Sequence, residues 1–255
     1  MLKIKSYVKV STIEEAYELN KVKNNQIIGG MLWLKMQNKN VNVAIDMSDL
    51  GLDKIEEDND NFIIGAMTSL RSLETSEILN IYTNGAMKES LRHIVGVQFR
   101  NLATVGGSIF GRYGFSDVLT IFMALDAKVE LYEKGIIPIS EFAEMKYDRD
   151  ILVRIIIPKH NIKIAYKSIR NSSTDFPVIT CAVSMIDEKI NMVIGSRPYK
   201  ACLLVNDAKL SNEELSEYVN DNIYVESNQR GSADYRKKMS KVLTRRCLEI
   251  IRGEA

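Results

Sequence analysis

The sequence is poor in the residues that build metal centres. Its 255 residues include only three cysteines and two histidines. Cys181, Cys202 and Cys247 stand far apart, whereas zinc sites and iron–sulfur clusters use closely spaced thiolates. His93 and His160 have no carboxylate or thiol at the spacing of metal ligands. We therefore predict buried, reduced thiols and no metal site in this chain.

Long apolar runs, an excess of charge of one sign and the commonest nucleotide motifs are also missing. No run approaches the roughly 20 apolar residues that span a bilayer, and the charged N-terminal stretch MLKIKSYVKV is not typical of a signal peptide. A net charge of +1 gives no general attraction to nucleic acid or to a membrane. Neither GxxxxGK[ST] nor GxGxxG occurs, so a nucleotide would need a different kind of site. We expect a cytoplasmic protein that binds neither nucleic acid nor membrane.

The residues that are present predict an α+β protein built from three segments. With 45% hydrophobic and 26% charged residues, the chain has the composition of an ordinary globular protein. Residues 1–52 read as a small βαββ unit, and residues 53–160 read as hairpins interspersed with helices. Residues 161–255 read as three antiparallel strands followed by helices, and the predicted strands are Lys163–Ile169, Phe176–Ile186 and Lys189–Ile194.

A long C-terminal helix is predicted over Ser232–Ile251. Apolar residues recur there at helical spacing, which predicts a face packed on the sheet. The same helix carries a basic cluster, for which we favour a solvated face over a nucleic-acid site because the whole chain is nearly neutral. The apolar positions are Tyr235, Met239, Val242, Leu243, Cys247 and Ile250, and the basic ones are Arg236, Lys237, Lys238, Lys241, Arg245 and Arg246.

Two pairs of adjacent glycines stand out from this background. Gly106-Gly107 lies in the stretch FRNLATVGGSIFGRYGFSDVLTIFMALD (99–126), and Gly29-Gly30 follows a short apolar run. Adjacent glycines before a helical segment allow backbone N–H groups to approach a phosphate without interference from a Cβ atom. The alternative for each pair is a simple turn between two elements. Two such turns would suit the two ends of one extended anionic cofactor.

The glycine motifs resemble those of the FAD-binding (medium) subunits of molybdenum hydroxylases, the xanthine dehydrogenase and carbon monoxide dehydrogenase flavoprotein family. In that family an apolar pair precedes the first Gly-Gly, and the second motif runs Arg-Asn-x-Ala-Thr-[IV]-Gly-Gly, then Ser-Asp and an apolar helix ending in Leu-Asp-Ala. The matching segments here are Ile27–Leu32, Arg100–Ser108, Ser116-Asp117, Leu125–Ala127 and, further on, Tyr166–Arg170 with Asp175-Phe176.

The resemblance implies the two-subdomain FAD-binding fold of the vanillyl-alcohol oxidase type, followed by an α+β domain with a three-stranded antiparallel sheet. The FAD pyrophosphate would lie between N–H groups of the two glycine loops, with hydroxyl contacts from Thr104 and Ser108. Asp117 would hold a ribityl or ribose hydroxyl, and Leu152 and Lys167 would line the isoalloxazine. For Lys167 the alternative is a surface lysine on a strand. The full predicted set is Ile27, Ile28, Gly29, Gly30, Met31, Leu32, Thr104, Gly106, Gly107, Ser108, Asp117, Leu152 and Lys167.

The chain also departs from the family pattern. Met31 and Leu32 stand where the family favours Thr and a polar residue, so a hydroxyl contact to phosphate is lost. Arg112 is a candidate to replace it, and Tyr113 is a candidate to pack on the flavin. The substitutions look closer to the subunits of purine-type, xanthine dehydrogenase-like enzymes than to those of carbon monoxide enzymes.

The function implied by the resemblance is electron transfer. An iron–sulfur subunit and a molybdopterin-binding subunit would carry the 2Fe–2S clusters and the molybdenum chemistry, and this chain would pass electrons through FAD to NAD⁺. It would then need no catalytic acid or base of its own. Two alternatives stay open at this point, a self-sufficient flavin reductase or oxidase and a flavin-free scaffold, the latter because of Met31 and Leu32.

Overall fold

A computed structural model describes residues 1–254. The N-terminal segment forms a three-stranded parallel sheet with one helix. Its elements are β1 (Lys3–Lys9), α1 (Ile13–Lys21), β2 (Gln26–Ile28), a 3-10 turn (Leu34–Met36) and β3 (Asn40–Asp46). β3 lies in the centre of this sheet, between β1 and β2. The first glycine pair therefore begins directly at the carboxyl end of β2, an edge strand.

The middle segment forms a five-stranded antiparallel sheet covered by short helices. Its elements are β4 (Ile55–Glu57), β5 (Asn61–Gly65), α2 (Leu70–Thr75), α3 (Glu77–Tyr82), α4 (Ala86–Leu91), α5 (Val97–Leu102), α6 (Val105–Phe110), α7 (Asp117–Ala124), β6 (Lys128–Leu131), β7 (Gly135–Pro138), α8 (Ile139–Glu144) and β8 (Leu152–Pro158). The strand order is β4-β5-β8-β6-β7. Every side chain of α7 is buried, as its apolar sequence predicts for a helix at the centre of a core.

The C-terminal segment forms an antiparallel sheet that two helices cover on one face. Its elements are β9 (Ile162–Arg170), β10 (Pro177–Ile186), β11 (Lys189–Gly195), β12 (Cys202–Asp207), α9 (Asn212–Asn222) and α10 (Ala233–Arg252). The strand order is β12-β11-β10-β9. The sheet thus has a fourth strand, β12, beyond the three that were predicted. The predicted segments 1–52, 53–160 and 161–255 each contain one of the three sheets.

The C-terminal sheet contributes to two cores because β9 alternates between its two faces. Ile164 and Tyr166 pack into the core built around α7, whereas Ala165 and Ile169 pack with α9 and α10. This is the period of two that an extended strand imposes.

The buried face of α10 differs from the predicted one. Tyr235 and Ile250 are exposed, and Arg236 is buried, at 1% exposure. The guanidinium of Arg236 donates to the carbonyl oxygens of Val178 and Glu226, at 2.8 and 2.7 Å. These carbonyl groups accept hydrogen bonds from the buried guanidinium. The spacing of residues along the helix does not reveal such partners.

Two of the five other residues of the basic cluster on α10 pair with α9, and Lys237, Lys238 and Arg246 are exposed. Lys241 pairs with Glu213 at 3.0 Å and also with Glu217, and Arg245 approaches Glu213 at 3.6 Å. No helix within residues 1–254 is both long and apolar enough to cross a membrane. Within the same residues, no group of three or more His, Cys, Asp or Glu side chains is arranged to hold a metal ion.

Candidate functional site

A cavity of about 620 Å³ lies where the two glycine loops meet. Volumes of this size are typical of sites for small molecules and cofactors. All residues predicted to bind the cofactor line it, except Asp117 and Lys167. The predicted residues on its wall are Ile27, Ile28, Gly29, Gly30, Met31, Leu32, Thr104, Gly106, Gly107, Ser108 and Leu152.

Three of the four paired glycines are required by contacts within the protein. A methyl group on Gly30 would lie 1.9 Å from the carbonyl oxygen of Leu102, and one on Gly106 would lie 2.6 Å from that of Ala66. A methyl group on Gly29 would lie 2.7 Å from the hydroxyl of Thr104. The first loop therefore packs at Gly30 against the backbone just before the second loop, and the second loop packs at Gly106 against the backbone after β5, approaches that only glycine permits. Gly107 differs, since it is exposed on the cavity wall and only the Thr104 hydroxyl, at 3.0 Å, is near its missing Cβ.

The backbone N–H groups of the second glycine loop are already used. Thr104 caps α6, and its hydroxyl accepts from the N–H of Gly107 at 3.2 Å. The N–H of Gly106 donates to Ala66 O at 2.8 Å, and that of Ser108 donates to Thr104 O at 3.1 Å. In this structure the amides around Gly106-Gly107 therefore have acceptors within the protein, at Thr104 for Gly107 and Ser108 and at Ala66 for Gly106.

The first glycine loop, unlike the second, has backbone N–H groups that bond to no acceptor in the described part of the protein. Within residues 1–254, the successive N–H groups from Gly29 to Trp33 donate to no acceptor. Met31 has φ 58°, in the left-handed region, and Trp33 is right-handed with φ −81° and ψ −33°. Successive amides in such mixed conformations form a concave site for an anion. The strained backbone at Met31 is the cost of this arrangement.

The charged side chains of the cavity also favour an anion. Lys39 donates to Gln26 Oε1 at 2.7 Å, and Arg149 donates to the carbonyl oxygen of Asn20 at 2.6 Å. Among the described residues, neither cation pairs with a carboxylate. The carboxylate of Asp148, by contrast, pairs with Lys134 outside the cavity at 2.7 Å. Asp150, the other carboxylate on the cavity wall, lies 3.5 Å from the Nζ of the same Lys134. The wall therefore carries two cations and two carboxylates, and an anion would be attracted to Lys39 and Arg149, which have no carboxylate partner within residues 1–254.

A second, smaller cavity of about 110 Å³ adjoins the first and shares Trp33, Phe99, Ser108 and Tyr113 with it. An aromatic cluster stands at this junction. Its rings belong to Trp33, Phe99, Tyr113, Phe115 and Phe176.

Asp117 lies on the second cavity, away from the glycine loops. It is buried, and its carboxylate accepts from the hydroxyl of Tyr166 and from the guanidinium of Arg170. Burial raises its pKa from 3.8 to about 6, although Arg170 and Tyr166 act in the opposite direction.

The comparisons with known proteins decide the family. Residues 2–160 match the model of a family described as the FAD-binding domain in molybdopterin dehydrogenase. The chain belongs to this family. It is an FAD-binding subunit of the molybdenum hydroxylases, so the resemblance seen in its glycine motifs is confirmed, as is its assignment as an oxidoreductase component.

Relatives match along nearly the whole chain. The protein is 27% identical over 247 residues to the uncharacterized protein YgfM of Escherichia coli K12, covering 94% of this chain and 93% of the relative. It is 23% identical over 275 residues to the glyceraldehyde dehydrogenase medium chain of Sulfolobus acidocaldarius, covering 96% and 98%.

Solved structures confirm the predicted fold class. Carbon monoxide dehydrogenase from Hydrogenophaga pseudoflava aligns with a TM-score of 0.87 at 20% identity, covering 99% of both chains. Quinoline 2-oxidoreductase from Pseudomonas putida 86 aligns with a TM-score of 0.85 at 16% identity, covering 98% of this chain and 97% of the other.

Three residues of this FAD-binding subunit do not lie where the sequence predicted, Asp117 and Lys167 from the family pattern and Arg112 from the departure at the first loop. Asp117 is held by Tyr166 and Arg170, so no free carboxylate faces the glycine loops. Lys167 is exposed on β9, on the face that packs against the C-terminal helices, and it lines neither cavity. Arg112 is buried behind the wall, where its Nε donates to Phe142 O at 2.9 Å and its guanidinium lies 3.9 Å from the Phe142 ring.

Sequence reasoning missed the aromatic cluster as a unit. The sequence motifs gave no role to Trp33, Phe99, Phe115 or Phe176, and they predicted only a flavin contact for Tyr113. A usable signal existed, because three of the five rings lie within a few residues of a glycine pair: Trp33 after the first, and Tyr113 and Phe115 after the second. Their mutual contact depends on the fold and is not visible in the spacing.

The raised pKa of Asp117 predicts a pH-dependent stability in this subunit. Between about pH 4 and pH 6 the folded state retains a proton that the unfolded state has released, so the free energy of unfolding falls as the pH rises. The contribution of this one group is up to about 3 kcal/mol. We expect urea unfolding of the wild type and Asp117→Asn, measured across this range, to show that the wild type loses stability relative to the variant as the pH rises. Parallel curves would contradict the assignment.

Proposed function

We propose that this chain holds FAD with its pyrophosphate on the amides of residues 29–33, and that it is the electron-transfer subunit of a molybdenum hydroxylase. The observation that carries the proposal is the run of unpartnered N–H groups from Gly29 to Trp33 on the wall of the 620 Å³ cavity. Gly29 is exposed and the other four residues are partly exposed, so water can reach these amides when no ligand is bound. Five successive N–H groups on one cavity wall with no acceptor among residues 1–254 are suited to bind an anion.

Three further groups support an anion at this point. Lys39 and Arg149 bring positive charge to the same cavity, and bidentate or charge-assisted hydrogen bonds to phosphate are the stronger class. The hydroxyl of Thr104 accepts from Gly107, so its own proton is free to be donated to a phosphate oxygen. Ser108 is less suited to this role, because its hydroxyl donates to Thr104 O at 3.0 Å.

The loss of a family hydroxyl at Met31 and Leu32 does not favour a flavin-free scaffold. The side chain of Met31 packs beside Leu34 against the small core of Ile28, Val41 and Ala44, and Leu32 packs against the main core. These side chains serve the packing of the loop, while the amides of the same residues stay available. The anion site is made by the backbone, so it tolerates the substitutions.

FAD, when bound, supplies the redox chemistry, and the protein supplies binding and orientation. We propose that 2Fe–2S clusters on an iron–sulfur subunit deliver electrons that leave through this chain to NAD⁺, and that a molybdopterin-binding subunit oxidises the substrate. The name of one relative, a glyceraldehyde dehydrogenase medium chain, supports a subunit of a larger complex. A xanthine dehydrogenase-like role for that complex is our further proposal from the sequence motifs.

The purified chain should bind FAD and reduce dyes slowly with NADH, and it should hydroxylate neither purines nor aldehydes. The measurements are the absorbance spectrum, the identity of the flavin released by heat, and the two activities with and without co-purifying subunits. A colourless chain that cannot be reconstituted with FAD would contradict the cofactor proposal. Hydroxylation by the chain alone, free of metals, would contradict the electron-transfer role.

A further inference from the structure

We propose that the indole of Trp33 is the contact surface for the isoalloxazine ring, and that Trp33 is thereby a positioning residue for the flavin. This inference rests on the proposed function, because it assumes that the cavity takes FAD. Trp33 is the only tryptophan in the chain, and it lines both cavities.

The direction of the first loop places Trp33 at one end of the anion site. The polar side chains of Asn24, Asn25 and Lys39 lie at the amino ends of β2 and β3, and they line the same cavity. The glycine pair follows at the carboxyl end of β2, and Trp33 carries the last of the free amides. A dinucleotide whose pyrophosphate bonds to these amides has a polar wall on one side and aromatic side chains on the other.

The aromatic side suits a large planar ring better than the polar one does. The indole of Trp33 is stacked with Phe176, with centroids 5.6 Å apart and planes at 28°, and it meets Phe99 edge-on at 5.8 Å. Tyr113 and Phe115 are stacked on each other at 5.2 Å beside it. These contacts fix the indole in place, and a fixed aromatic face binds a flat ring with little loss of side-chain entropy.

The second cavity alone cannot hold the ring. Its volume of about 110 Å³ is well below that of typical ligand sites, so a ring bound on the aromatic side would also occupy the adjoining part of the first cavity, at the junction that shares Trp33. A bound isoalloxazine at this junction lies against the indole, and the adenosine half of FAD lies on the polar side.

The test compares FAD with ADP, which carries the adenosine and the pyrophosphate but no flavin. We expect Trp33→Leu to weaken FAD binding about tenfold, the loss typical when an aromatic platform under a planar base is removed. ADP binding should change by less than about twofold, because its contacts are at the amides. Calorimetric titration of both ligands gives the two affinities.

Flavin emission gives the second readout. An indole in contact with a flavin quenches its fluorescence by donating an electron to the excited ring, and phenylalanine does this poorly. Trp33→Phe should therefore keep most of the FAD affinity, while the emission per bound flavin rises several-fold above that of the wild type. Tyr224→Leu, an exposed aromatic residue outside both cavities, serves as the matched control and should change neither quantity. Thermal melts of the apoproteins check that all variants fold.

The outcomes separate this inference from the function on which it rests. Tyrosine also quenches flavin emission and Tyr113 lines both cavities, so the emission is compared in a Tyr113→Phe background. Unchanged emission on adding Trp33→Phe there, at full FAD occupancy, would overturn the contact. Equal losses of FAD and ADP affinity in Trp33→Leu would also overturn it, because Trp33 would then only shape the loop of residues 29–33. If the wild type binds no FAD at all, the proposed function itself fails.

Discussion

Replacing Gly107 by valine is expected to weaken FAD binding about 100-fold and to leave the melting temperature of the apoprotein nearly unchanged. Gly107 is exposed on the cavity wall, and its backbone has no positive φ that a side chain would strain. The branched side chain would project into the space beside the first loop and displace the pyrophosphate from its amides. Losing one or two charge-assisted hydrogen bonds costs about 3 kcal/mol, which corresponds to roughly 100-fold in Kd.

Gly106→Val is the matched comparison for this prediction. The added Cβ would lie 2.6 Å from Ala66 O and 2.7 Å from Ala66 Cβ, so the neighbouring glycine should fail through loss of stability and not through loss of affinity. FAD titrations and thermal melts of both apoproteins distinguish the two. If Gly107→Val folds well and binds FAD normally, the second glycine pair is only a turn, and the cavity is not the pyrophosphate site.

Gly30→Ala is expected to destabilise the apoprotein by about 3 kcal/mol, near the upper end of the cost of overpacking. The added methyl group would lie 1.9 Å from Leu102 O and 2.5 Å from the carbonyl carbon, and backbone atoms cannot yield as a flexible side chain does. The two loops must separate, which for a chain of this size lowers the melting temperature by roughly 6–12 °C. Differential scanning calorimetry of the apoprotein measures it.

Gly96→Ala provides the control for Gly30→Ala. Gly96 has φ −121° and ψ 172°, a conformation open to alanine, and the nearest atom to an added methyl group is the side-chain oxygen of Gln98 at 3.5 Å. Gly96 is the N-cap of α5, where alanine is less favoured than glycine, so its substitution should cost no more than about 1 kcal/mol, well below the cost expected at Gly30. Equal melting temperatures for Gly30→Ala and the wild type would show that the two loops do not rely on their close approach.

The sequence identified the glycine pairs, but it could not assign the reason for each glycine. A glycine is needed wherever a Cβ has no room, and the obstacle at Gly30 is a carbonyl group 72 residues further along the chain (102 − 30). The same limit applies to the amides. The N–H of Gly107 in the second loop bonds to Thr104, which caps the helix starting at Val105. In the first loop the irregular backbone at Met31 leaves the N–H groups without an acceptor in the described chain.

Strand and helix periods were predictable, whereas the face that meets a given partner was not. β9 was predicted within one residue at each end, yet Lys167 lies on the side opposite to Tyr166 because the helices, and not the cavity, cover its face. On α10 one residue of the predicted solvated basic face, Arg236, is buried, since the carbonyl oxygens of Val178 and Glu226 accept hydrogen bonds from it. Lys237, Lys238, Arg245 and Arg246 are exposed, as predicted. β12 was overlooked because its short sequence, CLLVND, follows an irregular stretch with a proline.

Because side chains of β9 pack alternately into two cores, this strand links the folding of the family domain to that of the C-terminal segment. The family domain ends at residue 160, but Ile164 and Tyr166 of β9, Ala182 of β10 and Val193 of β11 fill the core beneath α7. A fragment that ends at residue 160 would lack these four core side chains. Both it and the remaining C-terminal fragment would expose apolar surface that the whole chain buries. Since both parts of the chain build this one core, we expect residues 2–160 and the C-terminal segment to unfold together as one cooperative unit.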